Sequence, residues 1–150
     1  MITYRTATSF DVPVLVSLER AIFKYDPWSV GQFKEELAEV GKSRYYILAS
    51  EGDEVVGYGG ILFISAGMEA DILTLAVKPE YRKRGIAREM LAELMKWGMS
   101  KGANSFMLEV RKENIEAQSL YEKEGFLKVS ERRNYYGVGI DAVVMRKELA

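Results

Sequence analysis

The sequence predicts a mixed α/β (α+β) fold in which one sheet carries helices on both faces. Segments with strand and helix periods follow one another in the order strand, two helices, three strands, helix, strand, helix, two strands. Residues 71–77 are nearly all apolar, which is typical of a central strand covered on both faces. The chain has 150 residues and no linker rich in Pro, Gly or Ser, so we expect a single domain over residues 1–150.

The first part of the chain predicts one strand and two helices. Residues 2–6 alternate between apolar and polar side chains, as a half-buried strand does. Asp11 is placed to cap the first helix, and Ser29 to start a second helix that ends at Gly41. The first helix has an apolar stripe formed by Val14, Leu15, Leu18 and Ile22.

Three β-rich segments come next. Residues 44–50 and 54–64 are separated by Glu51-Gly52-Asp53, which is a hairpin signal, and residues 71–77 form the apolar strand. The glycines of Gly57-Tyr58-Gly59-Gly60 lack the spacing of a dinucleotide fingerprint, and glycines in the middle of a strand indicate bulges or close contacts.

The rest of the chain alternates between helices and strands. Apolar residues recur at helical spacing from Gly85 until Gly102 ends the helix, and residues 105–111 alternate like a strand. Asn114 can cap a short helix that Gly125 closes. The last two strands, joined by a Gly137/Gly139 turn, are predicted at residues 126–136 and 139–147.

The absence of two residue types excludes many mechanisms. The chain contains 0 Cys and 0 His, which excludes cysteine nucleophiles, Ser-His-Asp triads and zinc sites built from Cys and His. We expect no metal at the site. Acid–base chemistry must therefore use Asp, Glu, Tyr, Lys or groups of the substrate.

The charge balance and hydropathy limit the partners. There are 21 Lys and Arg against 22 Asp and Glu, so no global positive field attracts nucleic acid or an anionic membrane. No apolar stretch reaches 18 residues, and the first ten residues lack the apolar region of a signal peptide. We expect a cytoplasmic protein that does not bind nucleic acid or membrane directly.

A cluster of cations lies where a helix begins. Arg82, Lys83, Arg84 and Arg88 surround Gly85, at the helix end where the macrodipole is positive and backbone N–H groups are free. A polyphosphate anion would accept those N–H groups and neutralise the cations. A solvated charged turn is the alternative interpretation. A Walker A loop is excluded, because no Gly-Lys-Ser/Thr follows a glycine at the required offset.

These features resemble the GNAT family of N-acetyltransferases. Arg82-x-x-Gly85-x-Ala87, after a strand that ends in Leu75-Ala76-Val77, is similar to the acetyl-CoA signature of that family. The element order resembles the GNAT fold, whose mostly antiparallel sheet has six to seven strands. Within the family, the chain resembles the protein N-terminal acetyltransferases of the RimI type and of the archaeal NatA catalytic type. This second resemblance is carried by Pro27-Trp28-Ser29, Leu108-Glu109-Val110-Arg111, Leu120-Tyr121-Glu122-x-x-Gly125-Phe126, Arg133-Asn134-Tyr135-Tyr136 and Asp141-Ala142-x-x-Met145.

The resemblance implies that acetyl-CoA is the donor and that an amine attacks its thioester directly. It implies that the pantetheine arm lies along Leu75, Ala76 and Val77, and that a backbone N–H of this strand stabilises the oxyanion. Asn114 and Tyr121 would also contact the cofactor. The pyrophosphate would be bound by the basic turn, which consists of Arg82, Lys83, Arg84, Gly85, Ile86, Ala87 and Arg88.

The resemblance also implies two catalytic residues. Glu109 lies on the opposite side of its strand from the apolar residues, at the position of the proton-accepting glutamate of the family. Tyr121 lies on the inward stripe of its helix, where a phenol would protonate the departing CoA thiolate or donate a hydrogen bond to it. A salt-bridged Glu109 and a Tyr121 that only packs are the structural alternatives.

Aromatic residues mark two predicted loops. They are Phe23, Tyr25, Trp28, Tyr135 and Tyr136. The resemblance implies that these loops flank a groove for a protein or peptide N-terminus, such as that of a ribosomal protein, and it leaves an auxiliary subunit open. Core packing is the alternative interpretation for each of these residues.

Two other functions remain open at this point. A GNAT enzyme for a small free amine, such as a polyamine or an antibiotic, would use acidic residues, for which Asp26, Glu35 and Glu36 are available. A non-catalytic acyl-CoA-binding module would need neither Glu109 nor Tyr121, yet both are present.

Overall fold

A computed structural model gives the fold and describes residues 1–23, 27–64 and 68–149. Within these residues the predicted order of strands and helices is confirmed. The strands are β1 (Ile2–Thr6), β2 (Arg44–Glu51), β3 (Glu54–Leu62), β4 (Glu69–Val77), β5 (Ser105–Arg111), β6 (Leu127–Gly137) and β7 (Ile140–Glu148). The helices are α1 (Val12–Ile22), α2 (Val30–Ala38), α3 (Ile86–Lys101) and α4 (Ile115–Lys123).

The described strands form one seven-stranded sheet in the order β1-β2-β3-β4-β5-β7-β6. The pairing of β4 with β5 is parallel and the other pairings are antiparallel. One apolar core lies between the sheet and α3 with α4, and a second lies between the sheet and α1 with α2. The predicted mixed sheet with helices on both faces is therefore confirmed, with β4 at its centre.

The predicted helix ends at Ser29, Gly102, Asn114 and Gly125 are correct, whereas the predictions for Asp11 and Gly41 are not. Ser29 starts α2 through a capping box, in which its hydroxyl accepts from the Gln32 N–H and the Gln32 side chain accepts from the Ser29 N–H. Asn114 caps α4 by accepting from the Ala117 N–H at 3.0 Å. The prediction for Asp11 is wrong, because its carboxylate pairs with Arg5 and caps the preceding 3-10 turn instead of α1.

Gly41 does not end α2. The helix stops at Ala38, and Gly41 lies beyond it with a φ of +89°, in a turn that leads to β2. Its N–H donates to the Arg44 carbonyl at 2.9 Å. The glycine signal therefore marked the turn and not the helix end.

The glycines of β3 occupy positions that have no room for a side chain. A Cβ on Gly57 would lie 2.8 Å from the Ala76 carbonyl oxygen, and a Cβ on Gly60 would overlap the ring of Tyr46. The pairing of β3 with β4 shifts between Gly60 and Ile61. The prediction of bulges or close contacts in this strand is confirmed.

The two central strands part halfway along their length. β4 pairs with β5 only from Glu69↔Ser105 to Ile72↔Leu108. Beyond that point β4 continues beside β3 as far as Val77, and β5 continues beside β7 as far as Arg111. Leu73 is skipped in the register between β3 and β4, which is a β-bulge and bends the strand where the parting begins. A wedge-shaped opening therefore divides the ends of the two strands.

The close contact at Gly60 predicts a stability effect. We expect Gly60→Ala to lower the free energy of unfolding by about 1–3 kcal/mol, because the added methyl must displace a fully buried tyrosine ring. The measurement is the midpoint of urea denaturation.

Gly31→Ala is the matched control. Gly31 lies in α2, and the nearest atom to its Cβ would be the Ser29 Oγ at 3.8 Å. Alanine is the better helix former, so this variant should unfold at the same or a higher urea concentration. Equal midpoints for Gly60→Ala and the unsubstituted chain would contradict the packing argument.

Candidate active site

Two cavities lie on either side of the opening between β4 and β5. The larger cavity has a volume of about 620 Å³ and the smaller one about 330 Å³. Both are lined by Leu75 of β4 and by Tyr121 of α4. The opening therefore joins two compartments that meet at these two residues.

The larger cavity collects nearly all of the residues for which the resemblance implied cofactor contacts. Its lining includes Leu75, Ala76, Val77, Arg82, Lys83, Gly85, Ile86, Ala87, Arg88, Asn114 and Tyr121. Arg84 does not line it. The guanidinium of Arg84 lies 3.4 Å from Glu51 and over the ring of Tyr81, and a role of this residue in binding the cofactor stays a prediction.

The basic turn presents backbone N–H groups to the larger cavity. Lys83 and Gly85 have φ values of +63° and +80°. Where left-handed residues alternate with right-handed ones, successive backbone N–H groups form a concavity that binds anions. Among the described residues no side chain caps the first turn of α3, so its N–H groups remain available. The Arg82 Nε donates to the Val77 carbonyl at 3.0 Å and fixes the turn to the end of β4. This end of the cavity suits a phosphate group.

The edge of β4 supplies further backbone donors. The Lys78 N–H donates to Val56 of the β3 side at 2.8 Å. Because N–H groups alternate in direction along a strand, those of Leu75 and Val77 point the other way, into the opening. Donors fixed in this manner can stabilise negative charge that develops on a carbonyl oxygen.

Glu109 projects into the smaller cavity from β5. Its side chain is 17% exposed, and the Arg132 guanidinium lies 3.8 Å away. The pKa of Asp71 on β4 is raised, mainly by the burial of Asp71 and next by the negative charge of Glu109. Glu109 therefore lies in the cavity, as a catalytic role requires. It also faces a cation, as the salt-bridge interpretation expected.

Tyr121 lies at the junction of the two cavities. It is almost fully buried, and its ring packs edge-on against Phe126 at 5.9 Å. Burial, with a smaller contribution from Tyr136, raises the pKa of Tyr121, so its hydroxyl stays protonated. No hydrogen bond to another described residue engages that hydroxyl, which leaves it free to donate into the junction.

Aromatic side chains wall the smaller cavity. Phe23 and Trp28 line one side, and Tyr135 and Tyr136, whose rings meet edge-on at 5.0 Å, line the other. Burial and the nearby Tyr135 raise the pKa of Tyr136 to about 12. Tyr25 and Asp26 lie outside the described residues.

Hydrogen bonds of Asn134 shape the irregular end of β6 that carries the tyrosine pair. Asn134 has a φ of +55°, its N–H donates to Asp141, and its side-chain oxygen accepts from the Gly139 N–H at 2.7 Å. Arg132 and Arg111 lie over the rings of Tyr135 and Tyr136 at 5.5 and 5.0 Å. The sequence analysis assigned no role to these two arginines.

Glu19 is a residue of the site that the sequence analysis missed. It lines the smaller cavity and is 5% exposed. The signal was present, because Glu19 follows Leu15 by four residues and therefore lies on the inward stripe of α1. An acidic residue on an apolar stripe indicates a buried carboxylate that needs hydrogen-bond donors.

The acidic residues available to a small-amine site lie elsewhere. Glu36 pairs with Arg44 at 2.8 Å and accepts from the Tyr46 hydroxyl. Neither Glu35 nor Glu36 lines either cavity. The described part of the chain therefore lacks the acidic pocket that the small-amine alternative expected from these two residues.

Comparison with known proteins identifies the family. Residues 14–126 match the acetyltransferase (GNAT) family. The chain is 37% identical over 147 residues to an uncharacterized protein of Mycobacterium leprae, covering 95% of this chain but only 40% of that protein. It is 37% identical over 151 residues to the N-alpha-acetyltransferase RimI of Mycobacterium tuberculosis, covering 98% of this chain and 92% of the relative.

A solved structure shows the same fold. The crystal structure of the ribosomal-protein-S18-alanine N-acetyltransferase from Escherichia coli superposes with a TM-score of 0.86 at 26% identity, covering 100% of this chain and 95% of that one. Among the described residues no helix has the length and apolar character needed to cross a membrane. The chain belongs to the GNAT family and is an acetyl-CoA-dependent N-acetyltransferase.

Proposed function

We propose that this enzyme acetylates the N-terminal α-amino group of proteins, with a ribosomal protein of the S18 type as a substrate. One observation carries the proposal: the smaller cavity brings Glu109 together with the aromatic walls of Trp28 and of the Tyr135–Tyr136 pair, and it meets the larger cavity at Tyr121. The names of the M. tuberculosis and E. coli relatives support the same activity.

The shape of the smaller cavity favours a peptide over a small amine. Its described walls come from β4, β5, the end of β6 and the neighbouring helices, and it is lined by aromatic rings that offer large contact areas to a chain. A polyamine site needs several carboxylates to balance its charges. Glu35 and Glu36 lie outside this cavity, and of the two described carboxylates that line it, Glu19 already accepts hydrogen bonds from Trp28 and Tyr58.

The residues of the larger cavity fit acetyl-CoA. The turn at Lys83 and Gly85 and the first turn of α3 would hold the pyrophosphate through backbone N–H groups, with Lys83 and Arg88 supplying positive charge. Leu75 and Val77 would bind the pantetheine arm and donate to the thioester oxygen. When bound, acetyl-CoA supplies an activated acetyl group.

Glu109 would prepare the nucleophile. A peptide α-amino group has a pKa of about 7.7–8.0, so much of it arrives as ammonium near neutral pH. The Glu109 carboxylate would accept one proton, directly or through a water molecule, and leave a neutral amine that can attack. The ammonium would also replace Arg132 as the cation beside Glu109. The contact between Arg132 and Glu109 is long, at 3.8 Å, and the arginine side chain is exposed, so the pair is weak.

Tyr121 would assist the leaving group. Its hydroxyl lies where the two cavities meet and remains protonated. It would donate a hydrogen bond or a proton to the sulfur as the carbon–sulfur bond breaks. The absence of Cys in the sequence agrees with direct transfer, since no Cys can carry the acetyl group.

The proposal extends to the setting of the reaction. We expect one catalytic domain over residues 1–150 and a cytoplasmic location, where the N-termini of new ribosomal proteins are found. A protein N-terminus is the partner.

The pyrophosphate site predicts a difference between two arginines. We expect Arg88→Glu to raise the Kd for acetyl-CoA by roughly tenfold or more, because it reverses a charge in the larger cavity. Arg84→Glu should raise the Kd less, because Arg88 lines the larger cavity and Arg84 does not, although each lies 3.4 Å from a glutamate. Isothermal titration calorimetry measures both constants, and an equal or larger effect of Arg84→Glu would contradict this assignment.

The base predicts a loss of turnover. We expect Glu109→Gln to slow acetyl transfer to a peptide by roughly 10²-fold or more, because the amide cannot accept the proton. The loss should shrink as the pH rises above the pKa of the amine. Glu113→Gln is the control, since Glu113 is exposed and lines neither cavity. A Glu109→Gln enzyme with full activity from pH 6 to 9 would refute the role.

The substrate class predicts which amines are labelled. The purified enzyme and acetyl-CoA are incubated with short peptides that differ in their first two residues, with the same peptides blocked at the N-terminus, and with spermidine. Intact-mass measurement should show one added acetyl group on free N-termini alone. Labelling of spermidine without peptides would favour a small-amine enzyme, and no labelling of any amine would favour a binding module.

A further inference from the structure

Glu19 is a buried carboxylate in the wall of the smaller cavity, and the mechanism above does not use it. It is 5% exposed on α1, and it forms no ion pair with a described residue. A buried carboxylate without a cation is costly unless strong hydrogen bonds satisfy it. The partners of Glu19 therefore indicate its role.

Both carboxylate oxygens of Glu19 accept a hydrogen bond from a group across the fold. Oε2 accepts from the backbone N–H of Trp28 at 2.8 Å. Oε1 accepts from the hydroxyl of Tyr58, which lies in β3 on the floor of the second core. Glu19 thus ties three separate segments together: α1, the start of the α2 segment and the central sheet.

The tie orients an aromatic wall. The ring of Trp28 packs against Phe33 at 5.3 Å, and Phe33 packs against Tyr58 at 6.0 Å, so the hydrogen bonds and the ring contacts form a closed cluster. Phe33 and Tyr58 are almost fully buried, whereas Trp28 lines the cavity. Trp28 is therefore the ring of this cluster that a substrate can contact, and Glu19 binds the backbone N–H of Trp28.

We infer that Glu19 is a positioning residue for the protein substrate: by holding Trp28 in the wall of the smaller cavity, it sets the affinity for the substrate N-terminus. The inference rests on the proposed function. The alternative is that the charge of Glu19 binds the substrate ammonium directly. Because Glu19 is only 5% exposed and each of its oxygens already accepts a hydrogen bond from the protein, the structure favours the indirect role.

Two substitutions separate these roles. In Glu19→Gln the amide oxygen can still accept from the Trp28 N–H, and the amide N–H₂ can donate to the Tyr58 oxygen, so both links persist without the charge. In Glu19→Ala both links are lost. We expect Glu19→Ala to raise the peptide KM by about tenfold or more with a kcat within about threefold of the starting enzyme, and Glu19→Gln to stay close to the starting KM.

A double substitution tests whether Glu19 acts through Trp28. The Glu19→Ala/Trp28→Ala enzyme should have the same peptide KM as Trp28→Ala alone, because the wall is already gone. Additive effects would overturn the inference. An increase of KM in Glu19→Gln as large as in Glu19→Ala would also overturn it, in favour of direct charge recognition.

Fluorescence tests the anchoring without any substrate. The chain has 2 Trp residues, and Trp97 stacks on Tyr45 away from both cavities, so Trp97→Phe leaves Trp28 as the reporter. In that background Glu19→Ala should shift the Trp28 emission to longer wavelength and increase its quenching by iodide, and Glu19→Gln should do neither. Unchanged emission in Glu19→Ala would overturn the inference.

The two arms distinguish failure of the inference from failure of the proposed function. If no peptide is acetylated by the starting enzyme, the proposed function fails, and the fluorescence arm still decides whether Glu19 anchors Trp28. If peptides are acetylated and Glu19→Ala leaves KM unchanged, the inference fails alone. Should Glu19→Ala not fold, Tyr58→Phe removes one link and should raise KM at least twofold; an unchanged KM there would overturn the inference.

Discussion

The parting of β4 and β5 is the constraint on which the rest of the structure depends. Parallel pairing stops at Ile72↔Leu108, yet each strand keeps its outer neighbour, so the sheet stays whole on both sides of the opening. Backbone groups that a continuous sheet would satisfy instead face a cavity, and buried backbone groups need partners. The bulge at Leu73 begins the divergence, and the fold thereby provides a place where a ligand can take the role of a strand.

On the proposed function, the opening also explains why the two reagents would meet at one point. The larger cavity is lined by residues of α3 and α4, and the smaller cavity by residues of α1 and of the end of β6. They share Leu75, which presents a backbone donor, and Tyr121, which presents a hydroxyl. Asn114 starts the helix that holds Tyr121 there, so a helix cap fixes a group at the reaction centre.

The sequence predicted what local patterns encode. Periodicity located the strands and helices, and the spacing around Gly85 located the basic turn, because these properties depend on neighbours along the chain. It could not locate the end of the β4–β5 pairing, since the partners are more than thirty residues apart and the apolar run continues past Ile72. For the same reason the sequence could not show that Arg84 faces Glu51. Asp11 and Arg5 are only six residues apart, but their pairing depends on how the chain turns between β1 and α1. The partner of a charged side chain depends on the three-dimensional fold and not on the sequence pattern around it.

The two carboxylates of the smaller cavity, Glu109 and Glu19, differ in how strongly their partners are held. Glu109 is balanced by a guanidinium that can be displaced, while Glu19 is held by two neutral donors and has no cation among the described residues. An exposed arginine gives up its pair at little cost, whereas a buried carboxylate keeps its hydrogen bonds because leaving the donors unsatisfied costs more. The exchangeable carboxylate is therefore suited to receive a proton, and the fixed one to hold a wall. In the proposed reaction, Glu109 would accept a proton from the entering amine, and Glu19 would keep the wall of the cavity in place.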